Sequence, residues 1–106
     1  MIVRIWRGWT TSENAEAYQH LLDTTIVPGI LAREIPGLGA IDILRRRDSE
    51  STDVEFVTIM NFADWTAVEA FAGPGATSSV VPAAAQALLS RWDQHSKHYE
   101  TIARHS

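Results

Sequence analysis

The spacing of apolar residues changes along the chain, and each spacing predicts an element. From Ile2 to Trp9 the residues are β-branched or aromatic with charges at alternate positions, which is typical of a strand. From Glu13 the apolar positions recur at helical spacing, with Tyr18 and Leu22 on one stripe. The Val27-Pro28-Gly29 segment predicts a break or kink in that helix, because proline lacks an N–H and restricts the residue before it.

The remainder of the chain repeats these two patterns. Asp64 is a good N-cap, and Gly73-Pro74-Gly75 is expected to end the helix that it begins. The predicted elements are a strand from Leu38 to Arg47, a polar hairpin loop over residues 48–53, a strand from Asp53 to Phe62, a helix with Trp65, Val68, Phe71 and Ala72 on one side, a helix from Pro82 with Ala85, Leu88, Leu89 and Trp92 on one side, and a strand from Lys97 to Ala103.

This order of elements predicts the fold class. A β-α-β-β-α-(α)-β order is the split βαβ arrangement of a ferredoxin-like α+β fold, with helices on one face of an antiparallel four-stranded sheet. The first and third strands are apolar on both sides, whereas a sheet with one wet face alternates cleanly between apolar and polar residues. Because the helices can cover only one face, we expect a second copy of the sheet, in a homodimer, to cover the other.

Composition narrows the class of protein. A chain of 106 residues predicts a single domain, residues 1–106. The absence of cysteine excludes disulfides, thiolate metal sites and a cysteine nucleophile. A net charge of −4 disfavours nucleic-acid and membrane partners, and no apolar run approaches a membrane span. No signal peptide is evident at the N-terminus, so we expect a cytoplasmic protein.

Several motifs together carry a resemblance to a known family. The opening IVRIWRGW, the segment IPGLGAIDILRR, the run EFVTIMNFADWTAVEAFAG and a late HYE resemble the antibiotic biosynthesis monooxygenase family, within the dimeric α+β barrel superfamily. The resemblance covers nearly the whole chain and implies a barrel built from two subunits. The resemblance does not by itself decide the activity, because the superfamily holds cofactor-free oxygenases, haem degraders and other members.

Asn61 and Trp65 are the first candidate catalytic pair. Cofactor-independent members of the family place an Asn and a Trp in a similar relation against an aromatic substrate, so the resemblance implies that role here. A deprotonated polycyclic phenol can itself reduce oxygen, and the protein need only bind it, stabilise the oxyanion and exclude water. The alternative is structural: Trp65 fills the core between helix and sheet, and Asn61 ends a strand.

His98 is the third candidate catalytic residue. Its ordinary pKa near 6.5 suits a general base or an oxyanion partner for a bound phenol. The alternative is a histidine bonded to a neighbouring strand or at the dimer contact. Pairing His98 with His95 or Glu100 gives two ligands without a third, so no metal site is predicted.

Four further residues are candidates for substrate binding in an apolar pocket between sheet and helices: Arg4, Trp6, Tyr18 and Phe71. A buried Arg4 needs a partner, for which Glu55 or Glu100 is predicted.

The leading function is a cofactor-independent monooxygenase for an electron-rich aromatic phenol, with no cofactor predicted. A non-catalytic protein that binds a small molecule is the alternative. A haem-binding or haem-degrading protein is disfavoured, because that branch uses an Asn on the first strand and a His beyond the helix of Trp65. The chain has neither at those positions.

Overall fold

Five strands form one antiparallel sheet in a computed structural model that describes residues 1–48 and 50–106. The strands are β1 (Ile2–Thr10), β2 (Leu38–Arg45), β3 (Val54–Phe62), β4 (Leu89–Trp92) and β5 (Lys97–Glu100); the helices are α1 (Ala15–Leu21), α2 (Val27–Ala32), α3 (Trp65–Ala72) and α4 (Ala83–Gln86). The sheet order is β2-β3-β1-β4, and β5 pairs with β1 as well. The predicted ferredoxin-like α+β fold class is confirmed.

The sheet has one strand more than predicted, because two short strands share the last position. β5 pairs with Ile2–Ile5 of β1, and β4 pairs with Gly8–Thr10. The helix predicted beyond Gln86 is therefore wrong: Leu89 and Trp92 belong to a strand. The spacing of these apolar residues fits either a helix or a strand. The backbone N–H and C=O groups of β1 that do not pair with β5 need hydrogen-bond partners, and β4 supplies them.

The first helical region continues through the predicted break at Pro28. A π-helical turn, Leu22–Ile26, joins α1 to α2, and the Val27 N–H donates to the Leu22 carbonyl. In a regular α-helix the Pro28 ring would meet the carbonyl four residues earlier, and the wider turn relieves that clash. Pro28 stands in the first turn of α2, where a missing N–H is tolerated.

The α3 helix begins as predicted, but one of its side chains lies elsewhere. The Asp64 carboxylate accepts a hydrogen bond from the Ala67 N–H at 2.9 Å and caps the helix. Val68 and Phe71 are buried against the sheet, whereas Trp65 is 40% exposed. The structural alternative, in which Trp65 fills the core between helix and sheet, therefore does not hold, since its ring packs against His98 instead.

The helices cover one face of the sheet, and two apolar clusters fill the space between. One cluster joins α1 to the sheet and includes Tyr18 and Phe56, whose rings meet edge to face with centroids 4.9 Å apart. The other lies under α3 and includes Phe62 and Phe71. The opposite face, here called the open face, carries Val3, Ile5, Leu44, Val57, Ile59 and Tyr99.

The predicted loop over residues 48–53 includes Ser49, which lies outside the described residues. Among the residues described, no helix has the length and apolar character that crossing a membrane requires.

Candidate ligand-binding site

A small cavity lies between the sheet and the helices, where the two apolar clusters meet. Its volume is about 60 Å³, room for roughly four or five water molecules. The cavity wall is mainly aliphatic and aromatic: Arg4, Trp6, Tyr18, Leu22, Ile26, Val27, Ile30, Ile41, Ile43, Thr58, Met60, Phe71, Val80, Val81, Pro82, Ala85 and Ser96. Such a site suits a small, largely apolar molecule.

Arg4 brings a charge into this apolar wall. Strand alternation directs it to the helix-covered face, where it is 3% exposed. Nη1 donates to the Ala76 carbonyl, and Nη2 donates to the Ser78 carbonyl at 3.1 Å. The guanidinium also lies 5.4 Å from the centroid of the Phe71 ring. Burial lowers the pKa of Arg4, because removing the cation from water disfavours the charged form.

The predicted carboxylate partners of Arg4 are wrong. Glu55 lies opposite Trp9 in the sheet register, and the side chains of both residues point to the open face, away from Arg4. Glu100 is exposed and makes no ion pair with Arg4. Within the described part of the chain, every partner of the Arg4 guanidinium is neutral, and its Nε takes part in none of the hydrogen bonds.

His98 is the third partner of Arg4. Its Nε2 lies 3.0 Å from Nη1 of Arg4. Because a guanidinium can only donate, we assign a neutral ring with its proton on Nδ1. Burial and then the nearby Arg4 charge lower the pKa of His98, which favours this state. The Trp65 ring meets the His98 ring edge to face, with centroids 4.9 Å apart.

Hydroxyl groups complete the polar part of the wall. Ser96 is 5% exposed, and its Oγ has no hydrogen-bond partner among the described residues. Burial raises the pKa of Tyr18 to about 12, so its hydroxyl stays protonated at neutral pH. Trp6 does not offer its indole N–H to the cavity, since that group donates to Ser79 and to the Asp93 carbonyl, both at 2.8 Å.

The structure divides the predicted site residues into two sets. The four predicted to bind substrate (Arg4, Trp6, Tyr18 and Phe71) all line the cavity. The predicted catalytic trio is not assembled there. Asn61 points to the open face and donates weakly to the Ala40 carbonyl at 3.4 Å. Trp65 and His98 contact each other behind Arg4 and are absent from the cavity wall.

Ser96 was not among the sequence candidates. A lone serine in a polar segment carries no pattern that distinguishes it, and only its position beside the cavity does. In the described part of the chain, no group of three or more His, Asp or Glu side chains lies close enough to hold a metal ion.

A wider surface groove adjoins the cavity. It measures about 650 Å³ and lies between α1 and the β2 edge. Leu22, Val27, Ile41 and Ile43 belong to both walls, so these four side chains separate the cavity from the groove. The π-helical turn supplies Leu22, which places a local irregularity of the helix at this partition.

Comparisons with known proteins support the fold alone. Neither a protein-family model nor a curated protein matches this chain. A crystal structure of an ethyl tert-butyl ether d (EthD) family protein from Bacillus halodurans C-125 has a similar fold, with a TM-score of 0.56 and 18% identity over 96% of this chain and 100% of that one. The shared fold is the ferredoxin-like α+β fold. Membership of the antibiotic biosynthesis monooxygenase family is not shown and stays a prediction.

Proposed function

We propose that this chain binds a small, mainly apolar molecule in the cavity between sheet and helices, with Arg4 as its polar anchor. The single observation that carries the proposal is the Arg4 guanidinium: it is buried, it borders an apolar cavity, and its partners among the described residues are all neutral. Burying a cation without a counter-charge costs free energy. A ligand oxygen with negative charge or high electron density offsets that cost when it binds.

A cofactor-independent monooxygenase is the second candidate, and the same guanidinium favours it. Arg4 is placed to stabilise a phenolate, which reduces oxygen more readily than the neutral phenol does, and the apolar wall excludes water from the intermediate. In this version Arg4 takes the role that the sequence suggested for Asn61. Even a single-ring phenol exceeds a volume of about 60 Å³, so this candidate needs outward movement of the α1–α2 wall.

A fragment screen tests binding, and oxygen consumption tests turnover. We expect saturation-transfer NMR to detect small apolar fragments with wild type and to lose the anionic ones with Arg4→Gln. The matched control is Arg91→Gln, which removes a guanidinium from the open face. Equal spectra for all three proteins would overturn the proposal. Oxygen uptake with single-ring phenols that is lost in Arg4→Gln would favour the enzyme over the silent binder.

The homodimer is a proposal that rests on the open face. Leu44 and Tyr99 are large apolar residues there, exposed by 47% and 51%. Val3, Ile5, Val57 and Ile59 lie between them on neighbouring strands and are half-buried. A contiguous apolar surface of this kind marks an interaction site, and we propose that a second copy of the chain covers it.

A further inference from the structure

We propose that the ligand is a short, branched monocarboxylic acid, held as its carboxylate by Arg4 and Ser96. This inference rests on the proposed function and names its ligand class. It is carried by the charge of the wall, by the hydroxyl of Ser96, which has no partner among the described residues, and by the aliphatic character of the remaining wall.

The charge of the wall sets the charge of the ligand. Among the described residues that line the cavity, Arg4 alone carries a formal charge. One carboxylate neutralises one guanidinium, whereas a dianion such as a phosphate monoester leaves negative charge without a partner in an apolar site. An amino acid is disfavoured for the same reason, because its ammonium group would find no carboxylate on this wall. The wall therefore selects a monoanion.

Ser96 supplies the second donor. Its amide donates to the Thr77 carbonyl at 2.8 Å, and the carbonyls on either side of Thr77, those of Ala76 and Ser78, accept from Arg4. The guanidinium and the Ser96 backbone are thus anchored on the same three-residue segment. Ser96 Oγ has no hydrogen-bond partner among the described residues, and buried hydroxyls are normally bonded. A carboxylate with one oxygen on each donor would satisfy both groups.

The remaining wall sets the shape of the ligand. Leu22, Ile26 and Ile41 are branched aliphatic residues, so the wall favours a short, branched aliphatic chain. The Tyr18 hydroxyl borders the same space and makes no hydrogen bond to a described residue. It offers a further protonated donor. Isovalerate and pivalate match this wall in shape and are fully ionised at neutral pH. Each exceeds a volume of about 60 Å³, so binding requires Leu22 and Ile41, which separate the cavity from the adjoining groove, to move outward.

Calorimetric titration at pH 7 with isovalerate and its neutral isostere isovaleramide tests the inference. We expect isovalerate to bind at least tenfold more tightly than the amide, because only the anion compensates Arg4. Leucine, which adds an ammonium group to a similar skeleton, should bind more weakly than isovalerate. If the amide binds as tightly as the acid, the carboxylate assignment is wrong while the apolar binding site stands. If neither binds, the ligand class named here is wrong, and the fragment screen decides separately whether the proposed function stands.

Two variants separate the donors. We expect Arg4→Gln to remove the preference for isovalerate over the amide. Ser96→Ala deletes a hydroxyl that has no partner, so the protein should fold normally and bind isovalerate about fivefold more weakly. Arg91→Gln is the matched control and should leave both affinities unchanged. Unchanged isovalerate affinity in folded Ser96→Ala would overturn the role of Ser96, and an unchanged preference in folded Arg4→Gln would overturn the inference.

Discussion

Arg4 on the covered face of the sheet and two arginines of the open face lie in contrasting surroundings. On the open face, Trp9 lies between Arg7 and Arg91, whose guanidinium carbons are 5.1 and 3.8 Å from its rings. Both arginines have carboxylate neighbours: Arg7 bonds to Asp93 at 2.9 Å, and Arg91 lies 3.9 Å from Asp53. On the covered face Arg4 lies over Phe71 in a similar way, but its partners in the described part of the chain are all neutral.

The three arginines also differ in their exposure to solvent, and exposure determines how much each needs a counter-ion. The side chains of Arg7 and Arg91 are 44% and 59% exposed, so water already stabilises their charge. Arg4 is 3% exposed and has the greatest need of a counter-ion, yet none of the described residues provides one. A charge in that situation raises the free energy of the folded chain unless something else compensates it. The arginines of the open face therefore take part in ion pairs within the fold. The lack of a carboxylate beside Arg4 among the described residues is the observation on which the proposed ligand site rests.

The largest expected effect concerns the packing of the covered face. Phe56 is 2% exposed and contacts Tyr18 edge to face. Phe56→Ala should lower the free energy of unfolding by about 3–5 kcal/mol, the usual cost of deleting a large buried aromatic. Urea titration followed by circular dichroism measures it. A loss below about 1 kcal/mol would show that this face is not the packed one.

The open face should respond through association instead. Ile59 lies between Ile5 and Asp42 in the sheet register, and Ile59→Lys places a charge at the centre of the proposed dimer contact. We expect wild type to sediment at about twice the 11.8 kDa chain mass and the variant to sediment as a monomer at micromolar concentration. Phe56→Ala, at a concentration where it is folded, should stay dimeric. A monomeric wild type would contradict the dimer.

A smaller effect is expected for the arginines of the open face. Arg91→Gln removes the cation from the Trp9 ring and should cost about 0.5–1 kcal/mol of unfolding free energy, the usual range for an exposed cation–π contact. Part of that cost is the ion pair with Asp53, so it should shrink in 1 M salt. Urea titrations at low and high salt give both numbers. Because the proposed dimer would cover this face, the titrations are made with the monomeric Ile59→Lys variant, where a loss above about 2 kcal/mol would contradict an exposed cation–π contact.

The smallest effect is a pH dependence of stability that originates in His98. The folded pKa is lowered by burial and by Arg4, whereas the unfolded side chain titrates near 6.5. As the pH falls below about 6.5, the unfolded chain takes up the proton first, so stability falls until the folded pKa is passed. Above pH 7 the stability due to this group is constant.

His98→Gln isolates this contribution. Its amide oxygen can still accept from Arg4 and does not titrate, so its stability should decline less than that of wild type between pH 7 and pH 5. Thermal melts of the two proteins measure the difference, in which the other histidines cancel. Parallel curves would contradict the Arg4–His98 bond.

Local chemistry in the sequence was sufficient for much of the fold and part of the site. Strand alternation put Arg4 and Trp6 on one face of β1, and the helical stripe turned Tyr18 inward; all three line the cavity. Asp64 marked the start of α3 because an N-cap acts within three residues. These features depend on neighbours along the chain, and so they can be read without the fold.

Contacts between distant segments decided the rest. Leu89 to Trp92 pairs as a strand with residues about 80 positions earlier, because β1 has unpaired backbone groups there, and the same apolar spacing also fits a helix. Alternation separates Asn61 from Met60 but does not say which face the helices cover. The neutral partners of Arg4 lie 72 to 94 positions away. Arg4 and Ser96 are 92 positions apart in the sequence and line one cavity because both bond to the segment of residues 76–78. Only the tertiary structure shows this arrangement.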